Sequence, residues 1–300
     1  MFEELFYRKM RHFTRRILSL HLQPHSPKYV VYWNKSFHEE DIMAQPTSFL
    51  QQHKRTLQRI GAVLLAILVW EVVALAVGHQ LLVPTPLSVL ERLAGIWLED
   101  GFWSTIWFTF RKIVAGFLLG LGLGLGLGSL AGRFPLFEIL FRPWAVMVKS
   151  VPVASFIVIC LIWMSSARLS IFISFLMVLP IVYTNVLQSI RSVDKQMLEA
   201  VEIFRLPWQK RVLYLWLPQM KPYLISACSV GLGISWKAGI AAEIIGIPAG
   251  SIGQMFYDAK VYFNTTDLFT WTIIVVVVSV LFEKGFLALL KWLYGRLEKL

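Results

Sequence analysis

Residues 116–128 read Gly116-Phe-Leu-Leu-Gly-Leu-Gly-Leu-Gly-Leu-Gly-Leu-Gly128, and the way this run folds decides the architecture of the chain. Glycine and leucine alternate with a period of two, which is the side-chain period of a strand. The run is uncharged, however, and sits inside an apolar block that covers 113–131. A lone strand in lipid leaves its backbone N–H and C=O groups without partners, so a helix is required. On a helix, Gly116, Gly120, Gly124, Gly128 and Gly132 form one ridge at i, i+4, with Gly122 and Gly126 widening it. Such a groove lets a second helix approach closely where lipid supplies no hydrophobic drive. Static packing is the simpler reading of the ridge; a surface that slides during gating is the other.

Further apolar blocks lie on either side, over 60–77, 153–164, 169–187 and 268–282. Crossing about 30 Å of hydrocarbon takes roughly 20 such residues. The whole chain agrees: of 300 residues 57% are hydrophobic and 16% charged, against about 25% charged in an ordinary soluble domain. The fold class is therefore all-α, a polytopic membrane protein in a lipid bilayer. About six spans are predicted, over 60–79, 106–131, 137–164, 169–190, 222–245 and 267–290. Pro143 and Pro152 interrupt the third, which divides into 137–149 and 153–164. The first span follows Lys54, Arg55 and Arg59 without a small-residue cleavage site, and reads as a retained helix.

Charge placement gives the orientation. The net charge of +11 does not indicate nucleic acid, because the basic residues gather in the N-terminal tail and in connections between spans. The connection 191–221 holds Arg191, Lys195, Arg205, Lys210, Arg211 and Lys221 against Asp194, Glu199 and Glu202. The connection 80–105 instead holds Arg92 against Glu91, Glu99 and Asp100. With both termini cytoplasmic, the basic connections fall inside and 80–105 and 246–266 fall outside. Residues 1–59 form a basic, partly disordered cytoplasmic tail in which 2–20 could lie as an amphipathic helix on an anionic surface. Met43 offers a second start ahead of the first span. Residues 60–300 form the membrane domain.

The segment Glu199-Ala-Val-Glu-Ile-Phe-Arg-Leu-Pro-Trp-Gln-Lys-Arg-Val-Leu-Tyr-Leu-Trp-Leu-Pro218 is too polar to span. It reads as two short helices parted near Leu206-Pro207, with Pro207 suited to a first helical turn. Val212, Leu213 and Trp216 make an apolar stripe, and Pro218 and Pro222 end the piece before the next span. A compact amphipathic element of this kind is either a docking surface or a helix lying among headgroups.

This segment resembles the cytoplasmic loop of ABC-importer permeases, which runs E-A-A, three residues, Gly, nine residues, Ile-x-Leu-Pro. Here Glu199, Ala200 and Val201 are followed at the same spacing by Arg205 and by Leu215-Trp-Leu217-Pro218. Thr85-Pro86, Val151-Pro152, Arg191-Ser-Val-Asp194 and Ala241-Ala-Glu243 resemble the nitrate/sulfonate/taurine-type branch. The resemblance covers roughly 60–295 and implies the transmembrane domain of a type I ABC importer. It implies a second permease copy, most simply a homodimer, two cytoplasmic ATP-binding subunits and an external solute-binding protein. It also implies that 191–221 is an ATPase-coupling loop, whose residues are Glu199, Ala200, Val201, Arg205, Leu217 and Pro218. Arg205 stands where the motif has glycine; Pro207 could supply the chain break that glycine would give.

Charges within spans are candidates for a translocation path, since they face a bundle interior or water. Glu71 lies mid-way along the first span and reads as structural. Lys237 and Glu243 lie in the fifth, about 240° apart around the helix, so they do not share a face. Lys237 could meet an anion such as nitrate, sulfonate, taurine or bicarbonate, or pair structurally with another helix. Trp97, Trp103, Trp163, Trp208 and Trp292 fall near predicted interfaces. Cys160 and Cys228 lack metal-ligand spacing. No phosphate-binding loop, metal motif, cofactor motif or catalytic constellation is present. The function expected is the permease subunit of an ATP-driven importer, not an enzyme; the alternative is a secondary carrier or channel that needs no ATPase.

Overall fold

Apolar runs of this length close their backbone hydrogen bonds internally, and the chain does so as helices. The computed structural model describes residues 49–78 and 82–297, and no strand occurs among them. The tail segment 1–48, with the amphipathic stretch at 2–20 and Met43, lies outside the described residues. Two compact units divide between Ala66 and Ile67. In the first, helix α1 (Phe49–Val77) is already formed eleven residues before the predicted start of the first span.

The second unit continues α1 and adds α2 (Pro86–Ile96), α3 (Phe102–Arg133), α4 (Pro135–Ser150), α5 (Val153–Trp163) and α6 (Ser166–Arg191). It then passes through α7 (Lys195–Ile203), α8 (Trp208–Arg211) and a π-helical turn (Val212–Trp216). It ends in α9 (Leu217–Gly246), α10 (Ile252–Val261) and α11 (Thr265–Leu297). Among the described residues five helical segments are long and apolar enough to cross a membrane: Ile60–Val77, α3, α6, Trp208–Gly246 and α11. The pair α4 and α5 makes a sixth, bent by 105° at its break. That matches the predicted number of spans.

Prolines behave differently from expectation. Only Val151-Pro152 breaks the third span; Pro143 lies inside α4, and Pro180 inside α6. Pro218 and Pro222 do not end a helix either, because the segment from Trp208 runs on through the π turn into α9. In the wider π turn the Leu217 N–H reaches the Val212 carbonyl, so the helix is already reset when Pro218 arrives without an N–H. Two helices fall in connections read as outer loops. Thr85 caps α2, its Oγ1 accepting from Ser88 N at 3.2 Å with Pro86 in the first turn. Ser251 caps α10 by accepting from Gln254 N at 3.0 Å.

The core of the unit is α3 laid along α6. A Cβ at Gly120 would stand 2.8 Å from Val178 Cβ, one at Gly124 2.7 Å from Val182 Cβ, and one at Gly128 2.8 Å from Val186 Cβ. Gly116 meets Ser174 and Gly132 meets Ile190 in the same series. Partner numbers rise together along both helices, so the two run parallel. Gly122 and Gly126 do not widen this groove; a Cβ there would meet nothing within 4 Å. They lie on the far face because a two-residue step turns a helix about 200°. α9 joins both helices: Phe117, Val178, Cys228 and Leu232 share one buried cluster, and Ser174 Oγ donates to the Ser235 carbonyl at 3.0 Å. Ion pairs tie the ends: Arg92 of α2 bonds Glu99 and Asp267, and Arg191 of α6 bonds Glu138 of α4. Trp97, Trp103, Trp163, Trp208 and Trp292 are all exposed.

The two glycine sets predict opposite outcomes. Gly124→Val inserts branched carbons into the Val182 side chain and is expected to destabilise by about 1–3 kcal/mol. Gly122→Val, on the open face, is expected to change stability by less than about 0.5 kcal/mol. Unfolding of the purified protein in detergent checks both, and equal losses would contradict this packing.

Candidate coupling element and translocation face

The loop after α6 is built from its caps. Asp194 Oδ1 accepts from Gln196 N at 3.0 Å as α7 begins. At the other end of α7, Arg205 N donates to the Glu202 carbonyl at 3.0 Å and Leu206 N to the Val201 carbonyl at 3.2 Å. This pair of bonds is a Schellman cap, whose penultimate position takes the left-handed conformation and favours glycine. Arg205 occupies that position with φ of 46°. The permissive turn is therefore made by Arg205 itself, and Pro207 comes after a break already formed; Pro207 does not substitute for the missing glycine. Arg211 Nε then donates to the Leu206 carbonyl at 2.8 Å, closing the turn.

Glu199 is exposed on α7, Val201 is half-buried, Leu217 is half-buried and Pro218 is exposed at the start of α9. Ala200 lies on α7 between Glu199 and Val201. Val212, Leu213 and Trp216 are half-buried, and Leu215 is the member of the π turn that is fully enclosed. Met197, Ile203, Phe204, Trp208 and Tyr214 are largely exposed, interleaved with the charged side chains of Glu199, Glu202, Arg205 and Lys210. Exposed aromatic side chains, methionine and arginine are the residue types enriched where proteins meet, and Lys, Glu and Asp are not.

Lys237 and Glu243, six residues apart on α9, have opposite settings. Lys237 is exposed. Glu243 is fully buried, and its Oε2 accepts from Thr109 Oγ1 of α3 at 2.7 Å and from Gly253 N of α10 at 3.4 Å. Thr109 Oγ1 in turn accepts from Ile252 N at 3.0 Å. The carboxyl of Glu243, a path candidate from the sequence, joins three helices in the interior. Gly253 packs directly on the Glu243 backbone, closer than any side chain would allow. The buried Ser170 hydroxyl lies beside the same carboxyl.

Sequence reasoning missed three further polar residues at membrane depth. Lys112 of α3 is buried, with its Nζ donating to the Ala167 carbonyl and lying 3.6 Å from the centre of the Phe108 ring. Glu283 of α11 accepts from Ser229 Oγ of α9 at 2.8 Å. Lys149 of α4 is exposed and donates to Thr184 Oγ1 of α6 at 3.1 Å. Each belongs to a predicted span whose apolar length dominates its reading and masks the few charges within it. Among the described residues no group of His, Cys, Asp and Glu could hold a metal ion.

A family model described as "Binding-protein-dependent transport system inner membrane component" matches residues 120–299. The putative aliphatic sulfonates transport permease protein SsuC of Bacillus subtilis is 29% identical over 223 residues, covering 73% of this chain and 79% of that protein. The taurine transport system permease protein TauC of Escherichia coli is 24% identical over 237 residues, covering 77% and 86%. The bicarbonate transport system permease protein CmpB of Synechococcus elongatus is 21% identical over 247 residues, covering 78% and 88%.

The left-handed backbone at residue 205 carries its own prediction. A non-glycine side chain there costs about 1 kcal/mol or slightly more, so Arg205→Gly is expected to raise stability by that amount. Slower proteolytic nicking between α7 and α8 would accompany it. A variant no more stable than the parent would mean that Arg205 holds its conformation without strain.

Proposed function

We propose, from the premise that this chain belongs to the family of binding-protein-dependent transport system inner-membrane components, that the importer it serves carries a small anion. Membership makes the chain the multi-pass, membrane-spanning permease subunit of an ATP-driven importer in the inner membrane, with ATP-binding and solute-binding partners. It is a transport subunit and not an enzyme; a carrier that needs no ATPase is the less supported reading. The anion is the part that goes beyond membership, and Lys237 is the observation that carries it.

A lysine at the centre of a spanning helix costs about 2.5–3.5 kcal/mol if it faces lipid, and more by some measures. Lys237 has no carboxylate partner among the described residues and stands exposed. On the same face of α9, Ser226 and Val230 are exposed and Gly233 opens on empty space. A second copy of the chain, placed against this face, would enclose a polar channel with Lys237 on its wall. An anion passing through would supply the missing counter-charge. The relatives named for sulfonate, taurine and bicarbonate transport support that class.

The other roles belong to the same proposal. ATP is hydrolysed by separate cytoplasmic subunits, which seat on the exposed side chains of 195–216, with Glu199 and Arg205 at the contact. The N-terminal tail, the coupling loop 191–221 and the C-terminus share the cytoplasmic side, and 60–300 forms the permease domain. The solute is delivered from outside by the binding protein and crosses between two permease copies. Glu243 braces the outer end of the bundle, and the glycines from 116 to 128 hold α3 against α6.

Two measurements test this reading. Co-purification with the cognate ATPase is expected for the intact chain and is expected to be lost, or uncoupled from ATP turnover, in Glu199→Arg; an intact chain that binds no ATPase would refute the docking assignment. Reconstituted with its partners, the intact complex should import taurine, ethanesulfonate or bicarbonate. Lys237→Gln should then import at least about tenfold more slowly, the equivalent of one charge-assisted hydrogen bond. Import at the parental rate would take Lys237 out of the path.

A further inference from the structure

The bent third span places a further exposed cation within a predicted span, where no role has been assigned. Lys149 occupies the last turn of α4, just before the break at Val151-Pro152. Lipid-exposed irregular backbone is not tolerated within the hydrocarbon, whereas backbone lining water is. Ser150, at the break, is exposed, and so is Lys149. The lysine makes no ion pair among the described residues. Among the described residues its hydrogen bond goes to Thr184 Oγ1, whose own proton is directed to the Pro180 or Ile181 carbonyl.

The helix opposite is polar at the same level. Thr184, Asn185 and Gln188 fall at i, i+1 and i+4 on α6, on the open side of the helix, whereas the neighbouring Tyr183 and Ser189 are buried. All three are at least partly exposed. An unpaired ammonium, three neutral polar side chains and an open helix break in one place mark water, not lipid.

This place is related to Lys237 through the core. Val148, next to Lys149, and Ala238, next to Lys237, belong to one buried cluster, which Val153, Ile234 and Ala241 border. The two lysines therefore flank the same packed unit at different depths. Lys237 is two residues from Ser235, whose carbonyl is bonded by Ser174 of α6, whereas Lys149 is bonded to Thr184. Ten residues of α6 separate those anchors, roughly 15 Å along the axis. Thr184 lies seven residues, roughly 10 Å, from the Arg191 end that leads into the coupling loop.

We propose that Lys149 is a second anion station of the translocation path, nearer the coupling-loop end than Lys237, where the solute is held by the ammonium with the Thr184, Asn185 and Gln188 side chains before release. The assignment rests on the anion reading above and names a further binding residue for it. A small anion leaving Lys237 would otherwise face a stretch of path without counter-charge. A cation roughly 15 Å on gives it a second partner. Lys149 could alternatively serve only its helix end, where a cation complements the backbone dipole; that role would not depend on the solute.

The test uses the whole complex in proteoliposomes, with permease, ATPase and solute-loaded binding protein. The probe is whichever of taurine, ethanesulfonate and bicarbonate the intact complex imports. The readout is solute imported per ATP hydrolysed. Lys149→Gln is expected to retain ATPase stimulation by the loaded binding protein but to lower that ratio at least about tenfold, and Lys149→Arg to keep most of it. Lys149→Cys adds a test on folded protein, because Cys160 and Cys228 are buried and the parent serves as control. Aminoethyl methanethiosulfonate, which restores a positive charge, should recover import; the sulfonatoethyl reagent, which places a negative one, should not. A parental ratio in Lys149→Gln, or equal recovery with both reagents, overturns the station while leaving the anion reading intact. An intact complex that imports none of the three anions overturns the anion reading and the station with it.

Discussion

The close approach of α3 and α6 is the constraint on which the rest of the second unit depends. Lipid tails are as apolar as leucine, so two spanning helices gain nothing by hiding apolar surface from each other. They gain only from contact, and contact over a long length requires that backbones come near. A glycine every fourth residue from 116 to 132 presents bare backbone to Ser174, Val178, Val182, Val186 and Ile190. The branched side chains of Val178, Val182, Val186 and Ile190 stand in the groove. With one face of α6 occupied in this way and another taken by α9, little of that helix stays open. The polar residues Thr184, Asn185 and Gln188 lie on the part that does.

A second constraint acts near the opposite end of α6. Thr109, Glu243 and the first N–H groups of α10 form a hydrogen-bonded chain inside the protein, with the buried Lys112 anchored nearby to Ala167. Buried polar groups are costly unless partnered, so each member of this chain fixes the others. It holds the short helix α10 against the ends of α3 and α9. Glu243 and Lys237 show why a charge in a spanning helix cannot be assigned from its position alone. They are less than two turns apart, yet one is enclosed by three helices and the other faces outward.

How much of this could be read from the sequence differs by level. Span number and the division of the third span come from apolar length and from Pro152, because the bilayer imposes one length on every crossing. The behaviour of Pro143, Pro180, Pro218 and Pro222 cannot be read in the same way, since neighbouring helices and a π turn can re-satisfy the backbone groups that proline leaves unpaired. The short helices at 86–96 and 252–261 carried signals in Thr85-Pro86 and Ser251, but at ten or eleven residues they fall below the length on which span reading depends. For the candidate site, the i, i+4 spacing of the glycines could be read, as could the position of Lys237. Lys112 and Lys149 were equally visible as letters. Recognising them requires knowing which neighbours would take their charge, and that is a property of packing between distant segments.

The junction between the loop and the bundle joins these levels. Arg205 ends α7 with a left-handed residue, so a sharp turn sets α7 apart from α8. After that turn there is no further break: from Trp208 the helix continues through the π turn to Gly246. The π turn is a change of pitch, not an interruption, since the Leu217 N–H still finds the Val212 carbonyl. A displacement applied at Trp208 is therefore carried along one helical rod, and Lys237 lies 29 residues along it, roughly 44 Å away. In the proposed assembly the rod is the physical link between an ATPase seated on the exposed loop and the charge that meets the solute. In that proposal the turn at Arg205, pinned by its cap and by Arg211, presents α7 to the partner, and the rod beyond it carries the motion.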